Sequence, residues 1–173
     1  PWAEDAYKAQ VKTVVIEEGV TDIGEYAFYQ CGVTSITLPS TLTEIKKEAF
    51  DGCANLEAVT IPESVTAIGN YAFTGCKALT EISFPADLKT LGTNALQNCT
   101  GLTTFTMPAA IKSVPNNLFK GCTGLTSVTL AEGTTAFGNY AFSGCTGFTS
   151  FTIPETVKTL GASAFANCTG LTE

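Results

Sequence analysis

The residues of this chain best equipped for chemistry are seven cysteines, Cys31, Cys53, Cys76, Cys99, Cys122, Cys145 and Cys168, spaced by 22 and then five times by 23. Thiols can pair as disulfides, hold zinc or act as nucleophiles. An odd number at an even spacing does not resemble a disulfide framework. A fixed period of this length points instead to stacked coils, with one cysteine in each. Equivalent side chains in such a stack lie about one strand spacing, ~4.8 Å, apart and run parallel. A disulfide needs Cβ atoms ~3.5–4.5 Å apart and converging. Zinc needs ligands gathered around a point rather than along a line, and the chain has no histidine. The expectation is a buried thiol ladder. Each cysteine is then a small apolar filler whose S–H is a weak donor to a turn carbonyl. Seven free thiols suit a reducing setting.

Nothing else in the sequence points to catalysis. No nucleophile is paired with a base, no glycine-rich phosphate loop precedes a helix, and no carboxylate pair is placed for a cleft. No cofactor is expected. Glu17, Glu18 and Asp22 form an acidic cluster that reads as a solvated turn, with weak cation binding as the alternative. Asn98-Cys99-Thr100 and Asn167-Cys168-Thr169 match the glycosylation sequon, and both read as by-products of the repeat. The chain carries 16 acidic and 9 basic residues. That balance argues against a nucleic-acid partner, which wants a basic face. Residues 1–87 hold 13 acids and 5 lysines, whereas residues 88–173 hold 3 and 4, so one end is acidic and the other nearly neutral. No apolar run approaches the ~20 residues of a membrane span, so no membrane insertion is expected. The opening at Pro1 and the stop at Glu173 read as the ends of a piece cut from something longer.

The elements that position the cysteines follow from the same period. Residues 1–10 lie outside it and read as a partial cap or lead-in, with Trp2 covering the first coil. Seven repeats follow: 11–32, 33–55, 56–78, 79–101, 102–124, 125–147 and 148–170, with an eighth beginning at 171–173. Each opens on an apolar residue and continues as a short alternating segment such as Val59-Thr60-Ile61 or Phe105-Thr106-Met107. Period-two alternation of β-branched and aromatic residues predicts a strand, outer members inward and the middle one outward. Proline follows in five repeats and stops the strand. Further on come two apolar positions, where Thr134 is an exception and an expected weak spot. Glycine succeeds the second of them except at Lys46 and Pro115. Ala-Phe and then Gly or Asn precede the cysteine, which predicts a short helical turn ended in the left-handed region. The reading is an α/β repeat solenoid of about seven 23-residue coils. It combines strands, extended segments and short helical turns, with a phenylalanine ladder beside the thiols.

These residues carry a family resemblance. Leu125 to Leu130 (L-T-S-V-T-L) and Val65 to Cys76 (V-x-x-I-G-x-x-A-F-x-G-C) resemble the unit of BspA-type leucine-rich repeats, over roughly residues 11–173. The resemblance implies a leucine-rich-repeat right-handed superhelix with a parallel β-sheet on its concave face. It implies a secreted or cell-surface location and adhesion to host or matrix proteins. It brings no catalytic residues with it.

Two outward rows remain as candidates for function. Thr37, Thr60, Ser83, Thr106, Thr129 and Thr152 form one, beginning at Val15. Thr13, Ser35, Ala58, Glu81, Thr104, Ser127 and Ser150 form the other. Together they make an almost uncharged hydroxyl surface. It could receive an extended protein partner, or it could be no more than the solvated side of a strand, where threonine is at home. No aromatic anchor is expected there. The alternatives are a structural spacer, a rod of about 34 Å at one strand spacing per repeat, and, more distantly, an ice-binding threonine array. Open apolar edges at the rod's ends could pair end to end.

Overall fold

The computed structural model describes residues 5–172 and is a parallel β-solenoid of about six turns. Seven cysteines mark six intervals, so the seven repeats of the sequence do not give seven closed coils. Ahead of the first coil lies one turn of helix, α1 (Asp5–Lys8). Twelve short strands follow among the described residues: β1 (Thr13–Val15), β2 (Asp22–Ile23), β3 (Ser35–Thr37), β4 (Glu44–Ile45), β5 (Ala58–Val59), β6 (Ala67–Ile68), β7 (Thr90–Leu91), β8 (Thr104–Thr106), β9 (Ser113–Val114), β10 (Ser127–Thr129), β11 (Ala136–Phe137) and β12 (Thr159–Leu160). They sort onto two sides of the coil. On the first side β1-β3-β5 and β8-β10 pair in parallel, with Thr13 beside Ser35 and Ser35 beside Ala58. On the second side β2-β4-β6-β7 and β9-β11-β12 pair in the same way. Residues at the same point of the repeat therefore stack, which is what the period demanded.

The third side corrects an expectation. None of the repeats contains a helix. Each Ala-Phe segment is a run of overlapping turns whose N–H groups alternate in purpose. In the first coil Ala27, Tyr29 and Cys31 donate to the carbonyls three residues back, while Tyr26, Phe28 and Gln30 donate to Lys47, Ala49 and Asp51 of the next coil at 3.2, 2.8 and 2.7 Å. A helix would consume every N–H within its own coil; this arrangement leaves half of them to bind the stack. It requires two left-handed residues per repeat. One is the expected Gly or Asn before the cysteine (Gly75 at φ 71°, Asn98 at φ 58°). The other is four residues earlier and is never glycine: Tyr26, Glu48, Tyr71, Asn94, Asn117, Tyr140 and Ser163 lie between φ 54° and 62°.

Both strand ladders are interrupted, and on the second side the sequence supplies the reason. On the second side the N–H of Gly69, Gly92, Gly138 and Gly161 donates to the preceding coil at 2.7 or 2.8 Å. A Cβ at these four would lie 2.3 to 2.6 Å from that coil's backbone. Pro115 holds the same position. It has no N–H to give and brings a ring to a place with no room, and here β7 and β9 do not pair. On the first side, residues 81–84 and 150–153 are not in strands. Both broken segments carry an inward phenylalanine, Phe84 and Phe151, although Phe105 stays in β8 and pairs with Val128. At the first break Phe84 and Phe105 meet edge to face, 5.5 Å between centroids.

The core runs the length of the rod as stacked ladders. Phe28, Phe50 and Phe73 stack at 5.3 and 5.2 Å, and Phe119, Phe142 and Phe165 at 5.5 and 5.1 Å. Between these triads Leu96 occupies the phenylalanine position. Phe84 and Phe105 fill the space, lying 6.2 Å from Phe73 and 5.1 Å from Phe119. Thr134, expected to be weak, is buried, but its hydroxyl donates to Ala131 O at 2.6 Å. No buried side-chain nitrogen or oxygen among the described residues lacks a partner.

Candidate functional site

The thiols do what their spacing suggested. All seven are free and buried. Six donate to the carbonyl of the aromatic or leucine position in the preceding coil, from Cys53 to Phe28 at 3.0 Å through Cys99 to Phe73 at 3.2 Å to Cys168 to Phe142 at 3.0 Å. Cys31 has no preceding coil, and Lys8 O of the lead-in takes its place at 3.4 Å. Gly32 N donates to the same carbonyl at 2.8 Å. Trp2, expected to cover this edge, lies outside the described residues. Burial pushes the Cys53 thiol up to about 12 and holds Cys76, Cys99 and Cys122 well above their ordinary value. A thiol that does not ionise is neither a nucleophile nor a metal ligand.

The acidic cluster is likewise occupied with structure. Glu18 accepts Ser40 N–H at 2.9 Å and its hydroxyl at 3.1 Å. The backbone bond chiefly holds its carboxyl below the usual range. Asp22 pairs with Lys46 at 2.7 Å, which lowers the acid and raises the amine. No group of three or more candidate ligands among the described residues is placed to hold a metal. Both sequon asparagines, Asn98 and Asn167, sit in left-handed turns.

The outward strand rows are all exposed, from Thr13 and Val15 to Ser150 and Thr152. The structure does not gather them into one even surface. Where residues 81–84 leave the ladder, a shallow depression of about 360 Å³ opens across three coils, with Thr60, Glu81, Ser83, Thr104 and Thr106 around it and Ile82 in its floor. Thr37, Ser40 and Thr60 border a second hollow of about 380 Å³, and Ser127, Ser150 and Thr152 a third of about 240 Å³. These breaks also deprive an ice-binding array of the uninterrupted register it would need.

One feature escaped sequence reasoning. Tyr26, Tyr71 and Tyr140 project from the turn side at 45%, 36% and 42% exposure. Lys47 and Lys120 lie 5.4 and 5.3 Å above the rings of Tyr26 and Tyr140. Exposed aromatics are thus present, on a different side from the hydroxyl rows. The signal was the recurrence of Tyr two residues before Phe, which means little until the left-handed backbone is known.

The family model for the BspA type Leucine rich repeat region matches residues 6–126 and 93–173, in six copies. No curated protein matches the chain. Among solved structures, a leucine rich repeat protein of T. pallidum (TpLRR) is 31% identical over 84% of this chain and 66% of its own, with a TM-score of 0.76. One from Eubacterium ventriosum is 28% identical over 91% of this chain and 43% of its own, with a TM-score of 0.81. A leucine rich cell surface protein of Faecalibacterium prausnitzii is 27% identical over 97% of this chain and 61% of its own, with a TM-score of 0.51. The chain thus spans less than two thirds of the length of each of these proteins.

Proposed function

This chain belongs to the BspA-type leucine-rich repeat family, and from that membership we propose that it is a non-enzymatic binding module of a cell-surface or secreted protein. Its partner is a host or matrix protein, engaged through the hydroxyl rows of the first side. The observation that carries this is a division of labour within the repeat. The inward ladders, the cysteines among them, are committed to packing. The outward strand positions are exposed in every coil and are free to meet something else. The cell-surface description of the Faecalibacterium relative agrees with such a location. No helix among the described residues is long and apolar enough to cross a membrane.

The test is binding of the purified chain to immobilised matrix proteins, compared with Thr106→Lys and Thr129→Lys. Both positions are exposed strand residues, so far-ultraviolet spectra should not change. Binding that is lost in the variants supports the first side as the interface, and unchanged binding refutes it. A second reading, a spacer rod presenting another domain, is favoured by one observation: the hydroxyl rows hold a single ionisable group, Glu81, and no aromatic residue, although aromatics dominate strong interfaces. A chain that binds no matrix protein would support it. The lead-in at residues 1–10 is proposed as a partial cap in either case.

A further inference from the structure

We propose that the depression at Thr60, Glu81 and Thr106 is a recognition subsite for a basic side chain, lysine or arginine, carried on an extended segment of the protein partner. This rests on the reading of the first side as the binding face. Three observations support it independently of the family. First, among the described residues the backbone of 81–84 makes no backbone hydrogen bond, although the flanking Thr80 N–H and Thr103 N–H still reach the preceding coil at 3.5 and 3.4 Å. The coils are therefore held close at one end and opened at the other. Both the N–H groups and the carbonyls of this segment are left without main-chain partners among the described residues. Such groups seek a partner.

Second, the polar side chains around the depression have no partner among the described residues. Thr60, Ser83, Thr104 and Thr106 enter no side-chain hydrogen bond, in contrast with Ser35, whose hydroxyl reaches Thr13 at 3.4 Å. Third, the charge is of one sign. Glu81 is the single ionisable residue in the outward rows, and it has no cationic partner among the described residues. The depression thus sets four hydroxyls and an unpaired main-chain segment around one carboxylate. An ammonium has three donors and no acceptor, and a guanidinium five and none, so a basic side chain can pair with the Glu81 carboxylate while bonding the hydroxyl and carbonyl oxygens beside it. An acidic one would be repelled by Glu81, and an apolar one would leave the carboxylate unpaired. The volume, about 360 Å³, accepts one long side chain with its flanking main chain. Both neighbouring hollows lack an acid, so the subsite also fixes the register of the partner along the rod.

The test uses the whole chain and three acetylated, amidated pentapeptides, Thr-Val-Lys-Val-Thr and its norleucine and glutamate counterparts, followed by amide chemical-shift titration. The lysine peptide should shift the signals of residues 58–60, 81–83 and 104–106, the norleucine peptide should bind several-fold more weakly, and the glutamate peptide should not bind. Glu81→Gln should weaken the lysine peptide about 1.5- to fivefold, the range of an exposed ion pair, and Glu81→Lys should abolish binding. Equal binding of the lysine and norleucine peptides, or binding unaffected by Glu81→Gln, would overturn the subsite. So would the same shifts produced by a neutral disaccharide in place of the peptide. Matrix-protein binding that survives Glu81→Lys but is lost in Thr129→Lys would overturn the subsite and keep the binding face. Matrix-protein binding that survives both variants would remove both.

Discussion

Gly138→Ala should be among the most damaging small substitutions in this chain, and Gly24→Ala at the same point of the repeat should be harmless. A Cβ on Gly138 would lie 2.6 Å from Asn116 N and 2.8 Å from its Cα. Those are backbone atoms, so the sixth coil must lift from the fifth. Lifting lengthens the bond from Gly138 N to Val114 O, now 2.8 Å, and loosens the β9-β11 register of Ala136 with Ser113. Overpacking of this kind costs about 1–3 kcal/mol. Each backbone bond lost adds about 0.5–1.5 kcal/mol. Together they give roughly 2–4 kcal/mol, or about 5–15 °C in midpoint for a chain of this size. Gly24 has no preceding coil, and nothing lies within 4 Å of a Cβ there. Its replacement should cost nothing and could stabilise by roughly 0.4–1 kcal/mol through the unfolded chain. Denaturant unfolding of the two variants beside the parent measures the difference. Midpoints that move equally would refute the claim that inter-coil contact, rather than local backbone preference, selects glycine at this position.

Three further outcomes follow from the ladders. Phe142→Ala removes a ring in contact with Phe119, Phe137, Phe148, Phe151 and Phe165 and should cost roughly 3–5 kcal/mol; a midpoint that hardly shifts would show the cluster to be loosely packed. Stability should fall steeply in alkali. The folded Cys53 thiol is raised by burial from 9.0 to about 12, with its buried neighbours raised too, so stability is full below the unfolded pKa and is lost as pH rises above it. Each such thiol contributes about 1.4 kcal/mol of loss per pH unit. Thiolate absorbance should therefore appear together with unfolding, and a gradual titration near pH 9 of a chain that stays folded would contradict this. Between the fourth and fifth coils the first side is open and Pro115 breaks the second. Hydrogen exchange should accordingly be fast at residues 81–83 and slow at Phe119, whose N–H is bound to Ala141 at 2.9 Å; uniform protection would argue against a fault at this junction.

Much of this molecule could be read from particular residues. The cysteine period determined that equivalent residues stack, because a coil of fixed length returns to the same place at each turn. Burial of Phe73 and Cys76, exposure of Thr60 and Thr106, and the left-handed turns at Gly75 and Asn98 all follow from that. Pro115 was visible as a departure, though its consequence for pairing was not. What the sequence did not determine was how the backbone donors are shared between coils. Ala-Phe followed by glycine suits a helical turn and a chain of β-turns equally in local propensity. The choice fell to the next coil, whose carbonyls take every second N–H, and that choice forces Tyr26, Tyr71 and Tyr140 into a left-handed backbone. The depression around Glu81 is also a tertiary result. Beside it Phe84 and Phe105 meet edge to face next to the smaller Leu96, three residues from two coils whose sizes matter only when they are packed together.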